Sequence, residues 1–85
     1  MITLTIVEIV KSGSKVETKR GIKLIHSMDK ARKIIPPIVA EMKSAEKEKR
    51  EPKIRIDAVS YDTKSERTML LELHAIKSID NENEN

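Results

Sequence analysis

Apolar and polar residues alternate through residues 2–10, where isoleucine, leucine and valine are interleaved with threonine and glutamate. This alternation is typical of a β-strand with one buried face. The Ser-Gly-Ser stretch at residues 12–14 is a turn signal, and it predicts a hairpin with a three-residue loop and a second strand ending near Leu24. The expected cross-strand pairs are Val10 with Val16, Leu4 with Ile22, and Ile2 with Leu24.

An apolar stripe with helical spacing follows, and Ser27 stands where an N-cap would begin it. Pro36 and Pro37 interrupt the stripe, because each proline removes a backbone donor and disfavours helical geometry in the residue before it. We therefore expect helix over about residues 28–50, either broken near Ile34 or sharply kinked. The members of the stripe are Met28, Ala31, Ile35, Ile38, Met42 and Ala45.

Alternation returns after Pro52 and predicts a second hairpin, with strands at residues 54–61 and 68–76 around a loop at residues 63–66. Two hairpins and a helix give the order ββαββ. This order predicts an α+β fold, in which a four-stranded, mainly antiparallel sheet has the helix packed on one face.

We expect residues 1–79 to form a single small domain. Residues 80–85 contain no apolar residue and three acids, so they are predicted to be a disordered acidic tail. No apolar run approaches the ~20 residues of a membrane-spanning helix, and a cytoplasmic protein is expected. Abundant lysine and glutamate without glutamine match the compositional trend of thermophile proteins.

The composition excludes several kinds of chemistry. The chain has no Cys, Trp or Phe, and Tyr61 is its only aromatic residue. It therefore has no means of building a thiolate metal site, a disulfide, a cysteine nucleophile or an aromatic base-stacking platform. The two glycines do not form a phosphate-binding loop, and His26 at a strand–helix junction reads as a solvated or capping residue. We expect a non-enzymatic protein without a cofactor.

Apolar residues on the second face of the predicted sheet point to a protein partner. With helix on only one face, these residues need a cover, and a second sheet is the simplest one. The leading hypothesis is an interaction or accessory protein that acts as a homodimer or as a subunit of a larger assembly. Its predicted interface consists of Val7, Ile9, Val59, Leu70 and Ile76.

The charge distribution supports an alternative. The net charge is +3, and basic residues dominate residues 11–33. Such a cluster can contact phosphates without sequence specificity, so a nucleic acid bound through its backbone is the alternative partner. The candidate residues are Lys15, Lys19, Arg20, Lys23, Lys30, Arg32 and Lys33.

A remote alternative is a metal-dependent nuclease-like site. In the predicted second hairpin Asp57 faces Glu72, and His74 lies beside them, so a divalent cation would relieve the repulsion between the two carboxylates. The order of these residues resembles the acid…acid-x-Lys hairpin of restriction-endonuclease-like nucleases, with His74 in place of the lysine. That resemblance covers one hairpin.

Overall fold

The computed structural model describes residues 1–77, which form an antiparallel sheet of three strands and two helices. The α+β class is thereby confirmed, whereas the predicted fourth strand is absent from this part of the chain. The tail predicted at residues 80–85 lies outside the described residues. In chain order the elements are β1 (Ile2–Ser12), β2 (Lys15–Ile25), α1 (Met28–Glu48), β3 (Ile54–Ser60) and α2 (Lys64–Glu72). Strand β1 is central, with β2 and β3 on either side of it.

The first hairpin closes through a two-residue turn, Gly13 and Ser14, and Ser12 pairs with Lys15. Gly13 has a φ of +62°, which glycine adopts without steric cost, and a two-residue turn matches the twist of the strands better than a longer loop. The predicted three-residue loop is therefore wrong by one residue. Ile2 pairs with Ile25 and not with Leu24, so the alternation of β2 is reversed with respect to the sheet faces.

Helix α1 is a single element from Met28 to Glu48, and the predicted break or sharp kink at its two prolines is wrong. The Ser27 side chain caps it as expected, because its Oγ accepts a hydrogen bond from the Lys30 backbone N at 3.1 Å. The missing donors of the prolines free the carbonyls one turn earlier, at Arg32 and Lys33. Both residues are exposed, so water can satisfy these carbonyls while the helix continues.

Residues 68–76, predicted as a strand, instead contribute to helix α2 and the segment that follows it. A capping box starts the helix: Thr63 Oγ1 accepts from the Glu66 backbone N at 3.1 Å, and Glu66 Oε1 accepts from the Thr63 backbone N at 3.0 Å. These two bonds satisfy donors at the position where the sequence predicted a hairpin loop. The sheet consequently stops at three strands.

Strand β3 contains a β-bulge at Asp57. Thr5 pairs with Ala58 and the next residue of β1 pairs with Ile56, which leaves Asp57 without an opposite residue. An extra residue reverses the alternation of side chains beyond it. As a result, both Ile56 and Val59 pack against the core, although three positions separate them.

The core lies between one face of the sheet and the two helices. Its buried side chains come from β1, β2 and both helices, so each of these elements depends on the others for its burial. They are Ile2, Leu4, Ile25, Ala31, Ile35, Val39, Met69 and Leu70. Neither α1 nor α2 lies over the opposite face of the sheet, which is called here the helix-free face.

Candidate interaction surface on strand β2

Strand β2 is the most exposed regular element of residues 1–77. Every residue from Lys15 to Leu24 is exposed, and only Ile25 is buried. The strand pairs with β1 on one side, and no described strand pairs with its outer edge. A long open edge of this kind presents unpaired backbone N–H and C=O groups to solvent.

Apolar side chains on β2 point away from the helices. Because Ile2 and its partner Ile25 face the core, the alternate residues of β2 face the other side of the sheet. The exposed fractions there are 58% for Val16, 71% for Ile22 and 52% for Leu24. We call the outer edge of β2 together with these side chains the β2 surface. It combines unsatisfied backbone groups with uncovered apolar area.

A pair of arginines flanks the β2 surface across the helix-free face. Arg20 and Arg55 are the cross-strand neighbours of Val7, and both guanidinium groups bond the carboxylate of Asp57. The Arg55 Nε–Asp57 Oδ1 distance is 2.7 Å and the Arg20 Nη2–Asp57 Oδ2 distance is 2.9 Å. Val7 is 0% exposed although neither α1 nor α2 covers this face, which is consistent with cover by the aliphatic stems of its two arginine neighbours.

The ion pairs also explain the electrostatics of this cluster. The Arg55 side chain holds the pKa of Asp57 below its usual range, and Arg20 adds to the effect. An aspartate placed by a bulge between two guanidinium groups is thus stabilised in its charged form. It ties β2 and β3 together across β1 without contributing to the core.

On the other face of the sheet, an open groove of about 340 Å³ runs between β2 and α1. Its apolar wall includes Ile6, Ile34 and Ile38, and the lysines Lys19 and Lys23 line the side formed by β2. A groove with an apolar wall and a basic border is chemically suited to an anionic partner.

The predicted interface residues do not share the helix-free face. Leu70 is a buried core residue of α2, and Val59 and Ile76 pack against the same core. Val7 does face the helix-free side, but it is buried beneath the arginines, and Ile9 is half-buried. The expectation of one exposed patch was wrong because it assumed a fourth strand and an unbulged β3.

The sequence did not single out the residues that the structure exposes instead. The expected pairs with Leu4 and Ile2 would place Ile22 and Leu24 on the buried face, whereas the structure pairs them with Thr5 and Thr3. A signal was present in the turn: glycine at the first of two loop positions is typical of a two-residue hairpin. With that register, Ile25 is buried, and the apolar residues before it become exposed.

The structure divides the predicted basic set between two faces. Lys15, Lys19 and Lys23 lie on the helix side of β2. Arg20 faces the helix-free side and is bonded to Asp57. All of these residues are exposed. The residues from the helix are Lys30, Arg32 and Lys33.

The three basic residues of α1 also point in different directions. Lys30 lies one turn before Ile34 on α1, but it is not among the residues that line the groove. Arg32 is two positions before Ile34 and points to the opposite side of the helix. Lys33 is exposed to solvent. Of this predicted basic set, Lys19, Arg20 and Lys23 line the groove, where the acid Glu8 also lies.

The remote metal site is not assembled. Glu72 lies in α2 and therefore does not face Asp57 across a hairpin, as the sequence predicted. Asp57 and His74 line one shallow pocket beside β3, but Glu72 is not among its lining residues. Within residues 1–77, no group of three His, Cys, Asp or Glu side chains is positioned to hold a metal ion.

Neither α1 nor α2, the helices of residues 1–77, has an apolar stretch long enough to cross a bilayer. Comparison of the chain with protein-family models, with curated protein sequences and with solved structures gives no match.

Proposed function

We propose that this chain is a non-enzymatic interaction protein that works as a homodimer or as a subunit of a larger assembly, and that it binds through the β2 surface. One observation carries the proposal: Ile22 and Leu24 are mostly exposed beside an edge strand that has no described partner. A partner would cover both the apolar area and the open backbone groups. Burial of apolar area contributes roughly 25 cal/mol per Å².

A partner strand is better suited to this surface than a small ligand. Main-chain hydrogen bonds along an edge supply affinity, and the alternating side chains beside it supply specificity. The apolar residues of the β2 surface stand beside the open edge and are mostly exposed to solvent. This arrangement favours another polypeptide.

The proposal that the protein is non-enzymatic is supported by the role of the carboxylates whose pKa values are shifted. Among residues 1–77 the pKa is lowered for Glu41, Asp57 and Glu66. Each of these side chains is bonded to a cationic group, such as Arg50 in the case of Glu41. The shifts therefore follow from structural ion pairs, and no cofactor is invoked.

Sedimentation velocity across a concentration series tests the homodimer. We expect association that persists at high salt, because the contact is apolar and backbone-mediated. The variant Ile22→Thr/Leu24→Thr should weaken it, whereas Val10→Thr, an exposed apolar change on β1 outside the β2 surface, should leave it unchanged. A wild-type chain that stays monomeric at all concentrations contradicts the homodimer.

A second candidate function is binding of a nucleic-acid backbone at the basic border of the groove. Lys19 and Lys23 line the groove together from one face of β2, although the sequence-predicted cluster is otherwise split. With Tyr61 as the only aromatic residue, contact by base stacking is not expected. Phosphate contact alone predicts affinity without sequence preference.

Fluorescence anisotropy with a labelled duplex tests this second function. Affinity should fall steeply between about 50 and 200 mM salt, and Lys19→Gln/Lys23→Gln should reduce the salt dependence. Lys47→Gln at the exposed end of α1 serves as the matched control. Absence of binding at the lower salt concentration rules out the nucleic-acid role.

A further inference from the structure

We infer that β2 pairs in antiparallel orientation with β2 of a second copy about a two-fold axis at Arg20, so that two three-stranded sheets join into one continuous sheet. This pairing rests on the proposed homodimeric function and specifies its register. The axis is perpendicular to the sheet, so the helices of both copies lie on the same side. Strand addition of this kind is a recognised mode of association at open edges.

The outer edge of β2 is long, regular and unprotected by backbone devices. Its register with β1 runs from Ile25 to Lys15 without a shift, so no bulge twists the edge away. The strand contains no proline and no described element covers it. Of the usual means of blocking edge pairing, only charged side chains remain, and their positions determine which register is allowed.

An axis at Arg20 uses the whole strand, because Arg20 is the middle residue of Lys15–Ile25. It brings the acid of β2, Glu17, opposite a lysine, and the symmetry makes this pair twice. It also brings apolar residues opposite one another on the helix-free face. The pairs across the axis are Val16 with Leu24, Glu17 with Lys23, Thr18 with Ile22, and Lys19 with Gly21.

The neighbouring registers place like charges opposite each other without an ion pair between Glu17 and Lys23. An axis at Lys19 places Lys15 opposite Lys23 and Lys19 opposite its own copy. An axis at Gly21 places Lys19 opposite Lys23. Like charges directly opposite each other in an antiparallel pair are destabilising. Axes placed further from the middle of the strand leave one end unpaired, and an axis between two residues conflicts with the pleat.

The chosen register places the two Arg20 residues at the axis, and the structure shows why this is tolerated. Arg20 Nη2 lies 2.9 Å from Asp57 Oδ2 of its own chain, and Asp57 belongs to β3 on the far side of β1. Each guanidinium group is therefore drawn away from the outer edge of β2 and toward a carboxylate. The intrachain ion pair prepares the edge for self-association.

Exchanging the charges of the predicted pair, Glu17 and Lys23, tests the register. Lys23→Glu places an acid opposite Glu17 at both symmetric positions, and Glu17→Lys places a lysine opposite Lys23. Each single variant should weaken the dimer on the order of tenfold, and the double variant Glu17→Lys/Lys23→Glu should restore it. Both positions are exposed, so the fold of the monomer is unaffected. Lys47→Glu is the control.

Cysteine cross-linking provides an independent measurement, since the chain contains no native cysteine. Opposite residues in an antiparallel pair lie about 4.5–5.5 Å apart at Cα, which a disulfide can bridge. Thr18→Cys/Ile22→Cys should therefore oxidise to a covalent dimer. Thr18→Cys/Leu24→Cys, which matches an axis at Gly21, should cross-link much less. Within one copy these cysteines are too far apart to pair.

The outcomes separate the register from the proposed function. Preferential cross-linking of the Thr18/Ile22 pair, together with rescue by the charge exchange, supports the axis at Arg20. If the wild-type chain dimerises but the two cysteine variants cross-link equally, or the double charge exchange does not restore association, this register is overturned and the homodimer stands. Wild-type protein that remains monomeric by sedimentation overturns both the homodimer and the register.

Discussion

Arg20 on β2 donates a hydrogen bond to Asp57 on β3, over a distance of 2.9 Å, although the central strand β1 lies between the two residues. The bulge of β3 is at Asp57 itself, where it re-aims the side chain. Because Arg55 bonds the second oxygen of the same carboxylate, one side chain links the two outer strands above Val7. The same contact orients Arg20 away from the edge that we propose as the interface.

Replacing Asp57 by asparagine should therefore affect association more than folding. The variant Asp57→Asn releases Arg20, so two unpaired guanidinium groups meet at the proposed axis, and the dimer should weaken on the order of tenfold. The monomer should stay folded, because surface ion pairs contribute little to stability. Sedimentation velocity measures association and circular dichroism measures folding. Equal association of wild type, Asp57→Asn and the control Glu46→Gln would show that Arg20 has no role at the axis.

Acid should destabilise the protein through Glu41. Its carboxylate accepts hydrogen bonds from Arg50 and from the Lys53 backbone N–H, which lower its pKa from 4.5 to about 2. A pKa lower in the folded state means that this contribution is present above pH 4.5 and is lost as the pH falls toward 2. Urea unfolding midpoints between pH 6 and pH 2 should fall less steeply in Glu41→Gln than in wild type. A remaining slope is expected from Asp57 and Glu66, whose pKa values are also lowered.

The capping box of α2 should be measurable as a loss of stability. Thr63→Ala removes the acceptor for the Glu66 backbone N–H and should lower the free energy of unfolding by about 1 kcal/mol. Thr63→Ser keeps a hydroxyl acceptor and should stay close to wild type. Equilibrium urea denaturation gives the comparison. Equal losses in the two variants would mean that the hydrogen bond is not the cause.

Two apolar substitutions should separate core from surface. Leu70 is fully buried in α2, so Leu70→Ala should lower the free energy of unfolding by about 2–5 kcal/mol. Ile22 is mostly exposed on β2, so Ile22→Thr should lower the free energy of unfolding by no more than about 0.5 kcal/mol. This value applies to the monomer, so stability is measured at high dilution. Similar losses at the two positions would contradict the register of the first hairpin.

The elements that were predicted correctly depend on local signals. Alternation along residues 2–10 and a glycine in the following turn are sufficient for a hairpin, and the Ser27 cap with an apolar stripe is sufficient for α1. The residues after Thr63 contain the local signal for a helix as well, because Thr63 and Glu66 have the spacing of a capping box. Their apolar positions fit both a strand and a helix, so the alternating pattern alone does not distinguish the two.

The candidate surface depended on single-residue differences that local patterns do not resolve. Side chains alternate with a period of two, so one residue fewer in the Gly13 turn moves Ile22 and Leu24 from the core face to the helix-free face. One extra residue at Asp57 likewise turns Val59 inward. Each change is small in sequence and reverses the face of every residue beyond it.

By itself, then, the sequence determined the α+β class, the first hairpin, the amphipathic helix and the lack of cysteine chemistry, because composition and short-range periodicity encode these properties. Only the tertiary structure decided the strand register, the bulge and the second helix. Burial of Ile25 and Leu70 in the core shared with α1 selects one arrangement among several that local patterns allow. The outcome is an open β2 edge with exposed apolar residues, which is the surface through which we propose that the protein binds.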